Sequence, residues 1–586
     1  MEDRPVTRSQ TRSQTQTSSQ TQSKKRSRVE TKETVDTTSK LDSLILMSEE
    51  ERDILNGLTL DQNGHIVVDE NLLSRLNPEP EPEQRIMKNP FEDCPMFIST
   101  IRNGTPLTLD FLEECSDYRK MNPDSVKMGE IIGNLPIDWL ALKNSTMLED
   151  NWDYSVKIPL NPRPTDQFNT GRCWKMAFLN LLRYPLIKKL NLEHKFEFSE
   201  TYLYFYDKVE RSNLFLEYIW TFREHDLQDR QVRMFTEPGA HFLSDGGCYN
   251  YAVSLVKKYG LVPKNVYGES FNSKVSSYMN ETLVRVLNHM ALEIFHNQDW
   301  SRSQFEKKKE EYMTIIYDLV VKFLGEPPKP TDKFTWTYKD EVGETHKVPN
   351  VTAEKFYNII VPHEDETKMV IINDPRKPET YYMPSFSEYS TNMIGGQPSA
   401  MINLPMNEFK EIVCASLKNE DPVWMACDMG KCFDIEANTS DVNRFDYNSV
   451  LGTNVEHSKA DMLDMLTSTP NHAMIFNGVD TNENLEGEVL SYNKWRIENS
   501  WGKSDGDEDS SPDHSCHRMS DAYVDKYVYM GVVDLKYFPQ KITEKIMSNS
   551  QAGISYTYKA TDAFGTLSLK ADCKHCLGNK TLTRPK

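Results

Sequence analysis

The stretch Pro164-Thr-Asp-Gln-Phe-Asn-Thr-Gly-Arg-Cys-Trp174 holds the residues best placed to do chemistry. Gln167 stands six residues before Cys173, with Gly171 just ahead of the cysteine and Trp174 just behind it. Apolar residues then recur at Trp174, Ala177, Phe178, Leu181 and Leu182, the spacing of a helix facing a core. Pro185 is predicted to end that helix. Cys173 therefore opens a buried helix, whose positive end favours a thiolate, the form that attacks carbonyls. The Gln167 amide can fold back and donate beside the sulfur, as an oxyanion hole requires. A thiol nucleophile needs a base. About 300 residues later, Asn471-His-Ala-Met-Ile-Phe-Asn-Gly-Val479 supplies His472 at the start of an apolar run that reads as a buried strand. Its imidazole can take the thiol proton and later give it to a leaving amine. Lys494-Trp-Arg-Ile-Glu-Asn-Ser-Trp-Gly502 then offers Asn499, a neutral amide that can accept from the other imidazole nitrogen and fix the ring. Trp501 can shield that bond from water.

Gln…Cys-Trp, a distant His-Ala, then Glu-Asn-Ser-Trp-Gly is the order and flavour of the papain-like cysteine peptidases. Further stretches resemble one branch, the bleomycin hydrolase family of intracellular cysteine aminopeptidases. They are Thr-Gly-Arg-Cys-Trp at 170–174, Tyr-Asp-Lys-Val-Glu-Arg-Ser-Asn at 206–213, and Asp-Gly-Gly at 245–247 followed by Lys-Tyr-Gly-Leu-Val-Pro at 258–263. Val-Ile-Ile-Asn-Asp-Pro-Arg at 370–376, Asn-Met-Ile-Gly-Gly at 392–396 and Val-Trp-Met-Ala-Cys-Asp-Met-Gly-Lys at 423–431 follow in family order. The resemblance spans roughly residues 90 to 568. Taken alone, a cysteine opening an apolar helix is more often a small buried hydrophobe. A lone asparagine in a loop more often caps or turns. The catalytic reading rests on their conjunction, because each part has a required mechanical role.

The resemblance implies an α+β, papain-like fold: a helical half, a β-barrel half and large helical insertions. It also implies a homohexameric ring with active sites facing a central channel. Two stripes read as strong helices in the insertion at about 265–330. The first is Leu283, Val286, Leu287, Met290 and Ile294. The second is Tyr312, Ile315, Ile316, Leu319, Val320 and Phe323, stopped by Gly325 and Pro327. Lys307, Lys308 and Lys309 between them read as a solvated face. Met369–Asn373, Val423–Cys427, His472–Val479 and Lys494–Glu498 read as strands of the β half. The nucleophile and its base thus come from opposite walls of a cleft, which suits an extended peptide.

The chain has 586 residues, 38% of them hydrophobic, ample for a large core. Length alone suggests three or four domains, where the resemblance implies one catalytic unit at 91–568. No apolar run of about 18 residues appears, the length a membrane helix needs. The start, Met1-Glu-Asp-Arg-Pro-Val-Thr-Arg8, has no apolar signal region. Ten cysteines are scattered without a disulfide-like framework, which fits reduced thiols and a cytoplasmic location. Asn144-Ser-Thr146 and similar triplets then read as chance, not glycosylation acceptors. A net charge of −20 argues against a general polyanion binder. Residues 1–40 nevertheless read as a disordered Ser/Thr/Gln-rich tail, with seven basic residues against two acids in 1–28. Lys24-Lys-Arg-Ser-Arg28 is a possible nuclear address or weak nucleic-acid contact, although short basic runs are more often plain solvated tail. Residues 41–90 read as a linker with short helices.

Two departures stand out. In the family the last residues enter the cleft, where the terminal carboxylate holds the substrate's free amino group. Here Ala560-Thr-Asp-Ala-Phe-Gly-Thr-Leu-Ser568 looks like that ending, yet 18 residues follow. The extension 569–586 is flexible or processed: Cys173 trims it, or it blocks the cleft. Cys248 stands in Asp-Gly-Gly-Cys where relatives usually carry glutamine. Cys573-Lys-His-Cys576 is a lone C-x-x-C, and a metal site normally needs a second pair. The resulting expectation is a cysteine aminopeptidase on peptides with a free N-terminus. Its site residues are Cys173, His472 and Asn499, with Gln167 in the oxyanion hole and no metal or organic cofactor. The competing expectation is a blocked or silent ring-shaped scaffold with nucleic-acid-associating N-terminal arms.

Overall fold

The computed structural model describes residues 58–60, 66–68, 105–143, 151–236, 243–360, 367–502 and 516–565. The basic tail 1–40, the triplet at 144–146, the extension 569–586 and its C-x-x-C lie outside the described residues. The chain divides into two compact units, 1–112 and 113–586. Within 41–90, expected as a linker with short helices, the described residues are two antiparallel strands, Leu58–Leu60 and Ile66–Val68. Two short apolar runs flank Asn63-Gly64, a hairpin pattern.

The second unit is built on a central helix, Cys173–Leu190, buried for most of its length. It does not stop at Pro185. That proline lies inside the helix on an exposed face, while Leu186 and Ile187 beside it are buried. Packing on those neighbours overrides the missing N–H. The helix ends at Asn191, left-handed at φ 50°, whose N–H returns to the Ile187 carbonyl. Against it lie Glu200–Thr221, capped by Ser199, and Tyr249–Tyr259.

Beyond these comes the helical hairpin Ser277–His296 and Arg302–Leu324. Leu283, Leu287, Met290 and Ile294 are buried on the first helix, Tyr312, Ile316 and Val320 on the second. Ile315, assigned to the second stripe from sequence, is 49% exposed. A capping box of Ser301 and Gln304 starts the second helix, and Gly325 at φ 86° ends it. The supposed solvated lysines are partly engaged: Lys308 pairs with Glu293, and Lys309 with Glu217.

Twelve strands among the described residues form one sheet. Its path runs Phe433–Asp434, Thr439–Ser440, Cys516–Ser520, Val489–Glu498, His472–Glu483, Val423–Cys427, Val528–Asp534, Lys368–Ile372, Ala400–Asn403, Pro384–Ser387 and Tyr556–Tyr558. Val156–Lys157 pairs with His472–Glu483 off that path. Alternation along the middle strands feeds two cores. Ala473, Ile475, Trp424 and Ala426 pack with the central helix; Met474, Phe476, Met425 and Cys427 pack on the other face, with the helix Met406–Lys418. Strands buried on both faces read as continuous apolar runs, as Ala473–Phe476 does.

Candidate active site

The central helix begins at Cys173, so the cysteine occupies its first turn, with its side chain 7% exposed. Arg172 precedes it and makes no side-chain cap. His472 opens the strand His472–Glu483, in register with Cys427, and is 2% exposed. The two segments meet at the sulfur: the N–H of Ala473, the residue after His472, donates to Cys173 Sγ at 3.4 Å. His472 Nε2 lies 2.9 Å from Asn499 Oδ1. That same oxygen accepts the backbone N–H of Ser500 at 2.8 Å. A backbone N–H can only donate, so the Asn499 atom must be oxygen and Nε2 must carry the hydrogen. The neutral ring then keeps Nδ1 unprotonated. The Trp501 ring covers this pair, its centroid 5.3 Å from the imidazole.

Gln167 is tied into the same cluster, for its N–H donates to the Ser500 carbonyl at 2.9 Å. Asp166 bridges to Trp501, and the Gly502 N–H donates to the Thr165 carbonyl at 2.9 Å. The Gln167 side chain is buried. Its Nε2 donates to the Thr170 carbonyl at 2.7 Å, and a primary amide retains a second N–H for an oxyanion. Its Oε1 has no hydrogen-bond partner among the described residues. All four residues singled out from sequence are therefore linked through short contacts between three separate chain segments.

A thiol at a helix start, a strand led by a histidine closing on that sulfur and an amide oxygen against the imidazole fit the arrangement of a cysteine hydrolase. The family model for the Peptidase C1-like family matches residues 106–555. The chain belongs to the Peptidase C1-like family. It is 32% identical over 410 residues to the human protein named bleomycin hydrolase, covering 69% of this chain and 87% of that one. It is 33% identical over 392 residues to aminopeptidase C of Lactobacillus delbrueckii subsp. lactis, covering 66% and 83%. Among solved structures it resembles pepW of Lactobacillus rhamnosis at a TM-score of 0.69 and 26% identity, covering 77% of this chain and 98% of that one. The chain is thus a cysteine peptidase with the mixed α/β fold of the C1 peptidases.

Within this C1 peptidase, a set of buried charges around the helix Cys173–Leu190 escaped the sequence reading. The Arg172 guanidinium meets Glu200 and lies 3.5 Å from Glu269. Burial opposes its charge, but these carboxylates outweigh that and raise its pKa. Burial lifts the Glu200 carboxyl to about 7 and lowers the Lys175 ammonium to about 8. Lys175 sits 3.2 Å from Asp207, which also holds Arg211 at 2.9 Å. Asp207 and Arg211 lie four apart inside the 206–213 motif, so a helical i, i+4 pairing was the available signal. Asp245 accepts from Tyr204 and pairs with Lys208. Gly247 lets its loop approach Trp174, where an added Cβ would lie 2.6 Å from the indole.

On the other side, Phe433 packs between Trp501 and His517, with ring centroids 5.8 and 5.0 Å away. Neither Phe433 nor His517 was flagged from sequence. Cys248 is buried with Sγ 2.9 Å from Ser399 Oγ, and burial pushes its thiol pKa up, away from reactivity. One trio among the described residues could ligate a metal, Asp340, Glu344 and His346, at a hairpin turn. It is already bonded internally, Asp340 Oδ2 to His346 Nε2 at 2.9 Å and Asp340 Oδ1 to the Glu344 N–H at 2.8 Å.

Proposed function

We propose that this chain is a cysteine aminopeptidase that hydrolyses the N-terminal bond of peptides through Cys173, His472 and Asn499. The reading is carried by the contact at the sulfur, where the strand led by His472 closes on the start of the nucleophile helix. His472 Nδ1 takes the thiol proton, and the thiolate attacks the scissile carbonyl carbon. The oxyanion is stabilised by the Gln167 amide and the first backbone N–H of the helix. The imidazolium then protonates the departing amine as the carbon–nitrogen bond breaks, leaving a thioester. Water, deprotonated by His472, attacks that thioester, releases the acid and returns the proton to sulfur. Asn499 holds the ring in the tautomer that every step requires.

The limit to free N-termini follows the relatives named aminopeptidase C. On the sequence resemblance to the bleomycin hydrolase family we further propose that the chain assembles as a homohexameric ring in the cytoplasm. Sedimentation velocity of the full chain checks the assembly, and a species at one chain's mass would refute it. Nothing in the site favours a silent scaffold.

Cys173→Ala tests the chemistry. It is expected to abolish release of coumarin from aminoacyl-coumarin amides and to remove the iodoacetamide label that peptide mapping finds at position 173 in the parent, with an unchanged melting temperature. Retained turnover would remove the nucleophile assignment. Acetylated versions of the same substrates are expected to be poor; if they are cleaved as fast as free ones, the protein is an endopeptidase.

A further inference from the structure

The loop that carries Gln167 to Cys173 is held from behind by the start of the helical hairpin. Phe168, directly after Gln167, stands at φ 53°, a left-handed conformation uncommon for a bulky side chain. Such strain persists only where surroundings impose it. Two ties lie on either side of the loop. First, the Asn169 N–H donates to the Lys274 carbonyl at 3.0 Å, Asn169 bridges to Val275, and Lys274 Nζ sits 5.0 Å from the centre of the Phe168 ring. Second, the Gly171 N–H donates to Asp245 Oδ2 at 3.3 Å. The same carboxylate accepts the Ser276 hydroxyl and, at 2.9 Å, the Asn280 amide. The Asp245 carbonyl also accepts the Trp174 indole N–H at 2.7 Å. Lys274, Ser276 and Asn280 lie at or just before the start of the helix Ser277–His296.

We propose that residues 274–280, acting through Asp245, are a positioning brace that sets the Gln167 amide over the reacting carbonyl. The helical hairpin thereby contributes to catalysis as well as to bulk. The Asp245 carboxylate is aimed by Tyr204 and Lys208 on Glu200–Thr221 and by Ser276 and Asn280 at the hairpin, while Trp174 holds the Asp245 backbone through its carbonyl. Removing one hairpin donor loosens the carboxylate. The Gly171 N–H then has a less fixed acceptor, and the loop relaxes at its strained point. The sulfur itself is fixed separately, by the helix and by the Ala473 N–H.

This inference rests on Cys173 as nucleophile and Gln167 as oxyanion donor, and two reactions of one thiol isolate it. Peptide hydrolysis passes through a tetrahedral oxyanion. Alkylation by iodoacetamide needs the thiolate but no oxyanion hole. Ser276→Ala and Asn280→Ala, singly and together, are to be compared for kcat, KM and the alkylation rate of Cys173. Asp245 itself is left intact, because its loss strands the buried Lys208. Expected is a fall in kcat of about tenfold or more, with KM and the alkylation rate each within about twofold of the parent. Ser276→Thr, which keeps a hydroxyl, is expected to retain most of the activity. Hydrolysis and alkylation falling in parallel, or an unchanged kcat in both single variants, would overturn the brace. A parent enzyme that hydrolyses without being alkylated at Cys173 would instead overturn the nucleophile assignment.

Discussion

Asn499 Oδ1 receives two donors, the imidazole N–H and the Ser500 peptide N–H. The peptide donor identifies the atom as oxygen, and the oxygen in turn selects the histidine tautomer. An alanine there would remove the acceptor from both. The ring would then be free to rotate or to protonate at the wrong nitrogen. Asn499→Ala is expected to lower kcat by about 10- to 100-fold with little change in KM, since the amide touches no substrate group. Steady-state kinetics on one aminoacyl-coumarin checks this, and a loss confined to KM would contradict the orienting role. The Trp501 ring over the same pair makes a second expectation: Trp501→Ala, by admitting water, should weaken activity less than Asn499→Ala does.

Among the elements, the interlock of Thr165–Gln167 with Asn499–Gly502 decides whether Gln167 and Asn499 share one frame. Gly502 is its tightest point, at φ 70°, with an added Cβ falling 2.7 Å from Asp166 Oδ2. Gly502→Ala is therefore expected to lose stability by about 1–3 kcal/mol. Activity should fall beyond what the unfolded fraction explains, measured by urea melts alongside kcat. Wild-type activity would mean the loop adapts without disturbing the site. Cys173, His472 and Asn499 could be picked out in sequence because each sits in a local pattern with one mechanical use, whereas Gly502 closes the same stretch as Asn499 and was not singled out. The strands came through for a related reason: a continuous apolar run such as Ala473–Phe476 has few alternatives to a sheet buried on both faces. The end of the helix Cys173–Leu190 did not. Pro185 is a local stop signal, and only the buried Leu186 and Ile187 beyond it say that packing wins. Asp245 was equally illegible. One aspartate among many acids carries no mark of the groups that surround it, since its partners lie up to 74 residues away in sequence.

Over the whole molecule, the same burial that builds the site makes stability depend on pH in opposing ways. Burial lifts the Glu200 and Asp428 carboxyls to about 7 and about 6. The folded chain thus holds protons that unfolded carboxylates release. That stabilisation is present at low pH and is lost as pH rises through those values. His517 acts in the other direction. Burial, with the nearby charges of His472 and Arg518, depresses its pKa to about 3. Its ring is satisfied as neutral imidazole, one nitrogen 2.9 Å from Ser440 Oγ and the other 2.9 Å from Asn438 Oδ1. As pH falls below the ordinary histidine value, the unfolded chain gains a proton that the folded ring refuses. Stability from this residue therefore drains away between about pH 6.5 and pH 3, by roughly 1 kcal/mol per pH unit. Because the carboxyls oppose it, the parent's own curve does not isolate the effect; a difference does. His517→Gln keeps polar partners for Ser440 and Asn438 but cannot titrate. Urea melts of both proteins at pH 7, 6 and 5 are expected to show the variant less stable at pH 7 and progressively catching up as the medium is acidified. A gap that stays constant across that range would mean the buried ring exchanges protons as freely as it does in the unfolded chain, and that the wall behind Phe433 and Trp501 is wetter than its packing implies.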